Sequence, residues 1–164
     1  MIKQTYPIAE QLIFNALQLA QQLLQELIRE LDALKKPQQA ELITQIAAGK
    51  KQLVVQLEQF NLQLAQVLAT ETLPNNQQSI GEYFKRAELA GLLTAESVAN
   101  WTQLIRVCAE CRDLNEQNGA GIDLLSRHTK RSLDILKGKS ESANTYGADG
   151  SSQSDRHTHS LILV

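Results

Sequence analysis

Ile13, Leu17, Ala20, Leu24, Leu27, Leu31 and Leu34 follow one another at alternating steps of four and three residues. This is a heptad seam sustained over about three repeats, the apolar edge of a long helix that packs on a neighbour. Leu12, Ala16, Leu19 and Leu23 add a second stripe beside it, so the same helix meets more than one partner element. The link "KKPQQ", Lys35 to Gln39, interrupts the pattern, and Pro37 suits the first turn of a following helix better than the interior of either. The seam resumes with Ile43, Ile46, Leu53, Leu57, Phe60, Leu64 and Val67. Lys50, beside Gly49, is its polar intrusion and the place where packing is expected to loosen. Two helices of roughly 30 residues follow, each about 45 Å long. Their tight connection makes them antiparallel neighbours.

The remaining chain extends this hairpin. "LPNNQQS", Leu73 to Ser79, is a turn cluster, and "IGEYFKRAELAGLLT" reads as a short helix ending near Gly91. Thr94 opens a capping sequence with Glu96 as its acidic companion, and Val98, Trp101, Leu104, Ile105, Val107 and Cys108 mark a further helix to about Gln117. "NGAG", Asn118 to Gly121, either breaks or weakens it, because two interior glycines cost about 2 kcal/mol. A last helix runs from Ile122 to Lys137. Beyond Gly138 the Ser, Gly, Asn and Asp content leaves too little apolar surface to order the chain. The expected fold is all-α: a long antiparallel hairpin extended to a three- or four-helix bundle or coiled coil over residues 1–117. An amphipathic helix over 118–138 and a disordered tail over 139–164 follow. With 43% hydrophobic residues but only 4% aromatic, eight Gly and three Pro, the composition agrees with long helices.

Several function classes are excluded or weakened. Lys3 is followed by an amphipathic stretch, no secretory leader pattern is present, and no window is apolar enough to span a bilayer. Two closely spaced cysteines point to a reducing compartment, hence the cytoplasm. Cys108 and Cys111 lack the second ligand pair a zinc site needs and sit mid-helix, where a redox motif is out of place. They read as one core-facing and one incidental cysteine. His157 and His159 belong to the tail and His128 to the last helix, so no metal site forms. There is no phosphate loop, no G-x-S-x-G and no nucleophile–base constellation, so neither an enzyme nor a cofactor is expected.

"RHTKRSLDILKG", residues 127–138, carries the remaining signal. Ile122, Leu125, Thr129, Leu133 and Leu136 share one helical face; Arg127, Lys130, Arg131 and Asp134 fall largely on another. Residues 112–139 hold six basic and four acidic side chains, a surplus of two, which is thin for a nucleic-acid contact. A membrane-surface helix wants more Lys and Arg and an aromatic on its apolar face. Two readings remain: a fourth helix of the bundle, or a helix that lays its apolar face on a protein partner. The long first helices also admit a structural coiled-coil or adaptor that oligomerises through them.

"NG", Ile122, "RHTKRSLDILKG" and then "TYGADG" together resemble the C-terminal signature of the FlgN family, cytosolic chaperones of flagellar type III export. The signature spans residues 118–150, about a fifth of the chain. The resemblance implies clients, the hook-associated proteins FlgK and FlgL, kept from premature association and delivered to the export gate protein FlhA. It implies client binding by the amphipathic segment, here Ile122, Leu125, Thr129, Leu133 and Leu136 with Arg127 and Arg131. It further implies gate docking by the Tyr-Gly motif, here Tyr146 and Gly147. The family often has Pro after that motif, whereas Ala148 follows here.

Overall fold

A computed structural model describes residues 1–36 and 39–136. Among these residues there are four α-helices and no strand: α1 Ile2–Leu34, α2 Ala40–Thr70, α3 Gln77–Leu89 and α4 Ala95–Leu136. The all-α architecture expected from the seam is the one observed. Pro37, Tyr146, Gly147 and the whole tail lie outside the described residues. Residues 1–122 form one compact unit, and the chain from Asp123 a second, whose described part is the end of α4.

The two seams become the core. Ile13, Leu17, Ala20 and Leu27 of α1 are buried with Phe60, Leu64, Val67 and Leu68 of α2. Each large apolar side chain so enclosed contributes roughly 1.5–3 kcal/mol relative to exposure. Ala9, Ala16 and Ala20 are fully buried on α1, and such small side chains let neighbouring backbones approach closely. The second stripe of α1 is half-covered: Leu12 and Leu23 pack against the core rather than within it.

α1 and α2 are antiparallel, as the short link requires. Thr5 donates to Glu71 Oε1 at 2.7 Å at one end, and Lys50 reaches Glu30 Oε2 at 2.6 Å towards the other. Lys50 therefore does not loosen the seam, contrary to expectation. It closes an ion pair on a carboxylate that is only 1% exposed.

α4 runs parallel to α1 in one constant register. Tyr6 bonds Ser97, Cys111 bonds the carbonyl of Ala20, and Asn118 bonds the carbonyl of Leu27, each pair 91 residues apart. This topology follows from α2, which carries the chain back to the starting end of α1. There α3 turns it around, with Ile80, Tyr83, Phe84 and Ala87 buried against the same core. Asn76 starts α3 by accepting from the backbone N–H of Ser79 at 2.9 Å. Thr94 accepts the first helical bond of α4 through its carbonyl, from Val98 N, while its hydroxyl donates to Glu88 rather than entering a box with Glu96. The helix then continues through Asn118–Gly121 without a break, so the two glycines weaken it without ending it. α4 is thus one element of 42 residues where two were expected.

Candidate functional site

The face marked out by the sequence lies at the end of α4. Ile122, Leu125, Leu133 and Leu136 are 38%, 45%, 46% and 82% exposed, and Thr129 is exposed with them. At 3.6 residues per turn these five positions fall within an arc of about 80°. Arg127 and Arg131 are exposed on the far side, and Arg127 Nε reaches the carbonyl of Asp123 at 3.3 Å, a local bond along the helix. Leu124, 52% exposed, stands among those basic residues and off the stripe. Spacing alone passed over it, because it does not recur at three or four residues. Four large apolar side chains on one narrow face, none of them enclosed, form a patch of the kind that marks an interaction surface.

A second apolar feature belongs to the unit of residues 1–122. Between α2 and α4 runs a groove of about 310 Å³ lined by Leu57, Phe60 and Asn61 on one wall and Trp101, Ile105 and Cys108 on the other. Phe60 and Leu104 are buried at its floor, while Ile105 is 40% exposed. Arg112 stands at its end and makes no ion pair among the described residues. The sequence marked Trp101 and Ile105 as helix-forming apolar positions but could not show that they face an open channel.

The cysteines divide as expected, Cys108 exposed and Cys111 buried. Burial pushes both thiols up, Cys111 to about 11, with the neighbouring Cys108 and Glu110 adding to it. At neutral pH both stay protonated, a poor state for a nucleophile or a metal ligand. Among the described residues no three His, Cys, Asp or Glu side chains group as a metal site would need. No helix among them is long and apolar enough to cross a membrane.

A polar cluster not anticipated from the sequence joins all three long helices within the first unit. Glu30 Oε2 accepts from Lys50 at 2.6 Å and from Asn118 Nδ2 at 2.9 Å, and the same amide donates to the Leu27 carbonyl. Asn118, read as part of a helix-weakening run, is 1% exposed and fixes α4 on α1. One turn further, Leu34 lies 3.5 Å from where a side chain on Gly121 would begin. The chain is therefore fastened immediately before the exposed stripe begins.

The family model described as FlgN protein matches residues 9–154, which takes in most of the core as well as the C-terminal signature. No curated protein and no solved structure matches. With nine-tenths of its length covered by that model, the chain belongs to the FlgN family, the chaperones of flagellar export.

Proposed function

We propose that this protein binds the hook-associated proteins FlgK and FlgL in the cytoplasm through the stripe Ile122, Leu125, Thr129, Leu133 and Leu136. It keeps them from premature association and hands them to the export gate protein FlhA through Tyr146 and Gly147. The observation that carries the reading is the exposure of four large apolar side chains on one helical face, next to a segment fastened by Asn118. Junction proteins that polymerise through terminal helices need those helices covered before export, and an amphipathic helix covers them by groove packing without any chemistry. Arg127 and Arg131, on the opposite side of the helix, keep it hydrated. Client recognition by an exposed stripe leaves the bundle core untouched, which gives the test. Leu133→Asp with Leu136→Asp is expected to abolish co-purification of FlgK and FlgL from a co-expressing strain. Helical content by circular dichroism and the thermal transition should stay within a few degrees of the parent. Retained co-purification would rule out the stripe as the client site.

A further inference from the structure

The exposed stripe and the α2–α4 groove are two apolar surfaces left uncovered among the described residues, and their spacings match. On the α4 wall of the groove Trp101, Ile105, Ala109 and Arg112 recur at steps of four, four and three. Read from its far end, the stripe is Leu136, Leu133, Thr129, Leu125 and Ile122, again in steps of three and four. Laid antiparallel, Leu133 comes opposite Trp101, Thr129 opposite Ile105, Leu125 opposite Ala109 and Ile122 opposite Arg112. Asp123 then stands beside Arg112, and neither side chain has an ion-pair partner among the described residues. The overall charges also oppose: residues 1–122 hold thirteen acidic and ten basic side chains, whereas 123–136 hold two acidic and three basic.

We propose that a second copy of this chain is the occupant of the groove. The 122–136 helix of each copy lies antiparallel in the α2–α4 groove of the other. Each copy owns one stripe and one groove, and the pair proposed is the two-fold one, in which both contacts form at once and neither surface stays open. Taken with the proposed function, on which this clause alone rests, the pair stores the client-binding stripe under cover until client displaces it. Ile105, 40% exposed in the single chain, becomes covered on pairing.

Sedimentation velocity of the full chain over a concentration series is the test. A monomer of 18.2 kDa should convert reversibly to a species of twice that mass. Ile105→Asp, in the groove, and Leu133→Asp, on the stripe, should each weaken pairing by at least about tenfold. Mixing those two variants should partly restore it, because one intact stripe then meets one intact groove. Arg112→Asp alone and Asp123→Arg alone should weaken the pair, and the double variant should recover it. Independently of any loss of folding, Ser126→Cys in an otherwise native chain falls opposite Cys108. A short bismaleimide should then link two chains, and Cys108→Ser should prevent it. A chain that stays monomeric at every concentration overturns the proposal, as does a link formed within one chain, which would place the stripe on its own groove. A monomer that still co-purifies with FlgK leaves the client reading intact; a dimer indifferent to client overturns that reading and leaves this one standing.

Discussion

Lys50 and Asn118 show how little a residue's type says before its neighbours are known. On the α2 seam Lys50 looks like a defect, and Asn118 sits in a glycine-containing run that weakens a helix. In the fold both point at Glu30, whose carboxylate is 1% exposed and would be isolated without them. Removing one member of a buried pair leaves an uncompensated charge and costs about 3–5 kcal/mol. Lys50 keeps 16% of its side chain exposed, which lets some water in, so Lys50→Met is expected near the lower end, about 3 kcal/mol. Urea unfolding followed by circular dichroism measures it; a change under about 1 kcal/mol would mean that Glu30 rehydrates instead. The cluster was not legible in the sequence because its three members are brought together by two registers, α2 against α1 and α4 against α1. Neither register is written in any one of them.

At the level of the element, two helices end in the same way with different residues. α3 closes with Gly91 at φ 81°, Leu92 N bonding the Ala87 carbonyl and Gly91 N the Glu88 carbonyl. α2 closes with the same pair of bonds, Leu73 N to Leu68 and Thr72 N to Ala69, but its left-handed position is Thr72 at φ 58°. A β-branched residue there is strained by about 1–2 kcal/mol, a cost glycine escapes. Thr72→Gly should therefore raise stability by about 1 kcal/mol, and Gly91→Ala should lower it by about 1 kcal/mol or more. Paired thermal melts of the two variants against the parent decide it, and the opposite sign at Thr72 would place the stabilising role in its hydroxyl, which bonds the Glu71 carbonyl at 2.6 Å. Gly91 was legible as a helix end because Gly is the residue that position favours. Thr72 was not, since nothing in its type announces a left-handed backbone.

For the whole molecule, the proposed function divides the labour between stripe and Tyr-Gly motif, two contacts with two proteins. Tyr146→Ala is expected to weaken binding to the cytoplasmic domain of FlhA by about tenfold or more while FlgK affinity stays within about twofold, because the two contacts share no residue. Surface plasmon resonance on each partner separates them, and an equal loss of both would mean that motif and stripe act as one surface. A chaperone that must release its client gains from a moderate grip. An amphipathic helix supplies that by offering apolar area offset by the ordering it imposes on the complex.

The sequence by itself determined the helices, their amphipathic faces and the family. Apolar periodicity and the C-terminal signature are local properties, fixed by which residues stand three, four or a few places apart. It marked Ile122, Leu125, Leu133 and Leu136 as one face, and spacing is enough for that. Tertiary structure decided which faces find cover. α1 ends at Leu34, beside Gly121, and the same periodic pattern is core at Leu104 and Val107 and exposed surface at Leu133 and Leu136. Burial is a property of register and of where a partner helix stops, and those are set by contacts between residues 91 positions apart.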